Sequence, residues 1–137
     1  KQPKVAVLAA VETVNPMMPA TLDAAALTVM AARGQITGAL VDGPLAFDNA
    51  ISPEAAATKG IISQVAGEAD ILLVPDLEAG NMLAQQLIYF AGATAAGLVL
   101  GARVPIVLTS RADPLSARIA SAALAKLVAI RKAEVKA

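Results

Sequence analysis

Thr109, Ser110, Arg111 and Asp113 fall where a strand must end and a helix must begin, and they offer two hydroxyls, a guanidinium and a carboxylate. The β-branched run Val104–Leu108 before them reads as a buried strand. Pro114 then opens a helical pattern that runs almost to the C-terminus. Asp before Pro is a helix-start signature, since the carboxylate caps free amides and proline at the first helical position loses no hydrogen bond. In open parallel sheets, anions bind in such gaps because free amides and the helix dipole favour negative charge. The same residues also make an ordinary strand-to-helix turn with a capping Asp and a solvated Arg. On this stretch alone both readings stay open.

Two further polar loops follow expected strands. Glu12, Thr13 and Asn15 come after Val5–Ala10, in a segment that two prolines keep irregular. Asp76, Glu78, Gly80 and Asn81 come after Ala69–Val74, and there Gly80 permits close backbone approach while Asn81 offers both donor and acceptor. The loops Glu12–Asn15, Asp76–Asn81 and Thr109–Asp113 are expected at one edge of one sheet, with Ser110 and Arg111 lining a pocket with Gly80 and Asn81.

The elements that must position these residues alternate. Strands are expected at Val5–Ala10, Thr37–Val41, Ala69–Val74 and Val104–Leu108, with Asp42-Gly43-Pro44 ending the second. Asp48 and Asn49 after that break read as turn formers, against a possible ligand role. A helix is expected over Thr21–Arg33, lining one face with Leu22, Ala25, Ala26, Val29 and Met30. Ser52-Pro53-Glu54 starts a short helix that Gly60 ends, and a further helix follows Asn81. This alternation predicts an α/β fold with a mostly parallel sheet flanked by helices. The uncharged stretch Ala79–Ala102 has the length of a membrane span, but its glycines, amides and changing period predict helix, turn and strand, with no membrane segment.

Composition narrows the chemistry. The 137 residues suffice for one domain's core, and 57% are hydrophobic but only 2% aromatic, which suits close helix-on-sheet packing by small aliphatics. Eleven basic residues balance eleven acidic ones, and one Tyr without Trp gives no stacking platform, which argues against nucleic acid. The absence of Cys and His removes disulfides, thiol nucleophiles, imidazole bases and the usual zinc sites, so no metal is expected. No G-x-G-x-x-G follows a strand and no phosphate-loop G-K-[ST] occurs.

Four stretches together resemble one family: E-T-V-N-P-M-M-P (12–19), V-D-G-P-L-A-F-D-N-A-I-S (41–52), V-A-G-E-A-D-I-L-L-V-P-D-L-E-A-G-N-M-L (65–83) and A-A-G-L-V-L-G-A-R-V-P-I-V-L-T-S-R-A-D (95–113). They look like the phosphate acetyltransferase and phosphate butyryltransferase family, in its order and spacing. The family resemblance is strongest to the acyltransferase module that some bacteria fuse to an enoyl-CoA hydratase domain. It implies that residues 1–137 are the C-terminal portion of that module, a single α/β unit holding part of an isocitrate/isopropylmalate dehydrogenase-like fold.

The implied activity is reversible transfer of a short acyl group between coenzyme A and inorganic phosphate, with CoA as a substrate, no covalently bound cofactor, and acyl-CoA, phosphate or acyl phosphate as partners. A cytoplasmic homo-oligomer is implied as well. Ser110, Arg111 and Asp113 are the implied catalytic residues, and Asp76, Glu78, Gly80 and Asn81 the substrate-binding ones. Arg111 offers a planar fork to phosphate oxygens, and Ser110 a donor to developing charge. In the family an Asp seven residues beyond the motif serine is assigned as base. That position here is Ala117, leaving Asp113 as the nearer carboxylate, with helix capping as its other role. With arginines of the N-terminal half absent from these residues, the chain alone is expected to be weakly active or inactive. The competing class is a non-catalytic module that holds a phosphate-bearing ligand.

Overall fold

The computed structural model describes residues 2–134. The chain folds as two compact units, Lys1–Met82 and Leu83–Ala137.

In the first unit, β1 (Lys4–Leu8), β2 (Leu40–Leu45) and β3 (Ile71–Leu73) form a parallel sheet in the order β2-β1-β3. The mixed α/β class with a parallel sheet therefore holds. Helix α1 (Pro19–Ala32) is the crossover from β1 to β2, and the short α2 (Phe47–Ile51) and α3 (Pro53–Thr58) precede β3. The core gathers Ala6, Val7, Leu8, Ala24, Leu45, Ala50 and Val65.

Three expectations need correction here. Asp42-Gly43-Pro44 does not end β2 but lies inside it, where the register with β1 shifts between Ala6 and Leu8. Proline is tolerated in a strand at such an irregularity. Gly43 sits so close to β1 that an added Cβ would lie 2.6 Å from the Val7 carbonyl oxygen. The face that α1 buries is also not the expected one. Thr21 and Ala24 are buried, while Leu22, Val29 and Met30 are exposed. Close approach explains it: Thr28 Oγ1 donates to the Gly43 carbonyl at 3.0 Å, and only short side chains fit between. Finally, Asp48 and Asn49 are helical residues of α2, not turn formers.

Helix α4 (Leu77–Tyr89) begins earlier than expected, so Leu77–Asn81 form its first turns. Asp76 caps it, accepting the Ala79 N–H at 2.7 Å.

In the second unit, β4 (Leu98–Val99) and β5 (Ile106–Val107) pair antiparallel as a separate two-stranded sheet, and α5 (Leu115–Glu134) follows. The Val104–Leu108 segment is therefore neither a parallel strand nor a buried one: Ile106 and Val107 are 45% and 40% exposed. Its pairing with β4 is antiparallel because of connection length. The loop from Leu100 to Pro105 is far too short for a parallel crossover, which needs a dozen residues or more, but suffices for a hairpin. Within it, Gly101 adopts the left-handed conformation at φ 86°. The Thr109–Asp113 loop thus leaves a different sheet from the loops after β1 and β3. Among the described residues no helix is long and apolar enough to cross a membrane.

Candidate active site

The turn after β5 is locally closed. Asp113 Oδ2 accepts the Ser110 N–H at 2.6 Å, the Asp113 N–H donates to the Ser110 carbonyl at 3.2 Å, and Ser110 Oγ accepts the Ala112 N–H at 3.3 Å. The expected cap is thereby redirected, because the Asp113 carboxylate folds back onto Ser110. The Pro114 carbonyl opens the helical bonding of α5, accepting from the amides of Ala117 at 3.1 Å and Arg118 at 3.3 Å. Arg111 is exposed, and its carbonyl accepts from Arg118 Nη2 at 3.4 Å.

A hollow of about 350 Å³ opens beside this turn, lined by Ser110, Ala112, Asp113 and Pro114 together with Gln85, Ile88 and Tyr89 of α4. A smaller one of about 120 Å³ shares Ile88, Asp113 and Pro114 and reaches Ala117. Asp113 therefore borders both hollows, and among the described residues its carboxylate is the only charge lining the larger one. Gln85, Ile88 and Tyr89 escaped the sequence reading, where the helix after Asn81 offered only an apolar period. The signal was present as the chain's one tyrosine beside an isoleucine on a helix that follows a strand.

Asp76, Glu78, Gly80 and Asn81 belong to the first unit. Asp76 is the α4 cap and Glu78 lies in the first turn, at the pole that favours negative charge. Gly80 permits close packing, since a Cβ there would come within 2.8 Å of Val74 Cγ2. Asn81 is exposed.

The first unit also holds a polar cluster of which the sequence reading named Glu12, Asp48 and Asn49 but not Lys59. Lys59 Nζ lies 3.1 Å from Glu12 Oε2 and 3.0 Å from Asp48 Oδ2. Asn49 is fully buried and donates from Nδ2 to Glu12 Oε2 at 3.3 Å, while its Oδ1 is buried without a donor among the described residues. The Lys59 hydrogen bonds hold the Glu12 and Asp48 carboxyls below their ordinary values, and these two carboxylates raise Lys59. The sequence hid this cluster because Lys59 ends a short helix far along the chain from Glu12. Among the described residues, no group of three or more His, Cys, Asp or Glu is placed to hold a metal ion.

The model of the phosphate acetyl/butaryl transferase family matches residues 1–126. The chain belongs to that family. It is 67% identical over 128 residues to the phosphate acetyltransferase of Rickettsia felis, covering 93% of this chain and 37% of that protein. It is 52% identical over 132 residues to the phosphate butyryltransferase of Clostridium acetobutylicum, covering 96% of this chain and 44% of that one. The solved structure of a branched-chain phosphotransacylase from Enterococcus faecalis V583 is similar at TM-score 0.80 and 40% identity, over 91% of this chain and 45% of that one. The chain thus spans about two fifths of the length of the curated relatives it matches.

Proposed function

We propose that this family member contributes to reversible transfer of an acetyl or butyryl group between coenzyme A and inorganic phosphate. The observation that carries the reading is family membership across residues 1–126, with Ser110 and Asp113 of the S-R-x-D turn bordering a hollow of about 350 Å³.

In the direction that forms acyl phosphate, a phosphate oxygen attacks the thioester carbonyl carbon and the C–S bond breaks. In reverse, the CoA thiol attacks the acyl phosphate carbonyl, loses its proton, and phosphate leaves. Ser110 donates to the carbonyl oxygen as negative charge builds there. Arg111 holds phosphate oxygens through two parallel N–H donors. Asp113, whose carboxylate accepts the Ser110 N–H and borders the hollow, is assigned the thiol proton. Gly80, Asn81, Asp76 and Glu78 remain substrate-binding candidates. CoA is a substrate here, not a resident cofactor.

The reading extends to a homo-oligomer in the cytoplasm, where acyl-CoA and phosphate meet. The exposed apolar side chains of Met17 (87%), Leu77 (85%) and Phe90 (90%) support association through surfaces that a second copy would cover. For the finer fold, an isocitrate/isopropylmalate dehydrogenase-like arrangement is consistent with the β2-β1-β3 order.

The test is thiol release from acetyl-CoA and butyryl-CoA in phosphate, using the natural full-length polypeptide. Arg111→Lys should lower kcat/KM by about a hundredfold, since a point charge does not replace the fork. Full turnover and phosphate affinity in that variant would make the arginine a solvated loop charge.

A further inference from the structure

We propose that Ile88 and Tyr89 of α4 form the wall that reads the length of the acyl chain. The inference rests on the acyl-transfer reading above and deepens it.

The hollow beside Ser110 has two kinds of lining. Gln85, Ser110 and Asp113 are polar, whereas Ile88, Tyr89 and Pro114 present apolar surface. Among the described residues no Lys or Arg lines it, and the Asp113 carboxylate is its only charge, so phosphate oxygens are repelled there. The uncharged end of the substrate belongs in it. If the Ser110 hydroxyl meets the acyl carbonyl, the hydrocarbon bonded to that carbonyl must occupy space next to Ser110. The apolar surface sharing the hollow with Ser110 is Ile88, Tyr89 and Pro114. At about 350 Å³ the hollow is at the small end of ligand sites but roomier than a two-carbon acyl group needs. A four-carbon or branched chain covers more of the apolar wall, and each added methylene in such a pocket is worth about tenfold or more in discrimination. Tyr89 is 70% exposed, so shortening it alters the hollow without opening a core.

The test compares kcat/KM for acetyl-, butyryl- and hexanoyl-CoA with phosphate in the natural full-length polypeptide. Butyryl-CoA should be preferred over acetyl-CoA. Ile88→Phe, which fills the hollow, should lower the butyryl-to-acetyl ratio by about tenfold or more. Tyr89→Ala, which lengthens it, should raise the hexanoyl-to-butyryl ratio by a similar factor. Variants that turn over with both ratios unmoved overturn the inference and leave the function standing. A rise in KM shared equally by all three acyl-CoAs also overturns it, assigning the hollow to the CoA arm. No turnover of any acyl-CoA by the unsubstituted protein overturns the function reading and this inference with it.

Discussion

Between residues 2 and 82, Leu45, Val65, Thr21 and Asn49 are sealed to 2% exposure or less, whereas beyond Leu83 the strand residues Ile106 and Val107 stand 45% and 40% exposed. The first region closes a core around three parallel strands and locks a polar cluster against it. The second buries Ala117 and Ser121, with Ser121 Oγ donating to the Ala117 carbonyl at 2.7 Å and accepting the Gly97 N–H at 3.0 Å. Its apolar residues Leu108, Leu115, Ile119 and Leu127 are left between 60% and 72% exposed. The S-R-x-D turn is therefore carried by the region with less burial of its own. Fewer buried contacts mean lower local stability there than in the first region.

The largest expected effect strikes the sealed region. Asn49→Asp places a carboxylate at a fully buried position beside Glu12, and unfolding free energy in urea should fall by about 3 kcal/mol, from desolvation and like charge together. The loss should shrink as pH falls and the new carboxyl is protonated. An unchanged midpoint at neutral pH would mean that Asn49 is wetter than its burial implies.

Gly43→Ala comes next. Its Cβ would meet the Val7 carbonyl at 2.6 Å and Val7 Cβ at 2.9 Å, so the β1–β2 contact must open at a cost of about 1–3 kcal/mol. Hydrogen exchange should show lost protection in β1 and β2 with little change around Ser110. Equal loss in both regions would break the contrast between them.

Lys59→Met has the smallest effect and a diagnostic pH dependence. The folded Glu12 and Asp48 carboxyls titrate below their ordinary 4.5 and 3.8, so their contribution is present above those values and lost as pH falls through the folded ones. Lys59 titrates above its ordinary 10.5, so its share is present below that value and lost as pH rises through the folded one. The gap in urea midpoint between variant and parent should be widest from neutral pH to about pH 9 and close in strong acid. A gap constant down to strong acid would assign Lys59 a packing role.

The strand–helix alternation of the first region was readable because Val5–Ala10 and the I-L-L-V heart of Ala69–Val74 are apolar and the Ser52-Pro53 cap is local: Ser52 Oγ accepts the Ala55 N–H at 3.2 Å. What escaped reading depended on contacts distant in sequence. The short side chains that α1 turns inward are chosen by Gly43, and Val104–Leu108 looked buried because β-branched composition does not reveal how many strands will cover it. At the candidate site, Ser110 and Asp113 were singled out from type and position and border the hollow, yet the direction of the Asp113 carboxylate was not foreseen. Gln85, Ile88 and Tyr89 were missed because a helical period does not show which face meets a turn some twenty residues further on.

In the function proposed above, the Ser110 hydroxyl donates to charge that develops in acyl transfer. Its most direct test is steady-state kinetics of Ser110→Ala in the natural full-length polypeptide, with acyl-CoA and phosphate varied separately. The expected result is a fall of about a hundredfold in kcat with both KM values changed only slightly, because the donor matters most in the transition state. A kcat within a few-fold of the parent would contradict it and leave Ser110 as a turn residue.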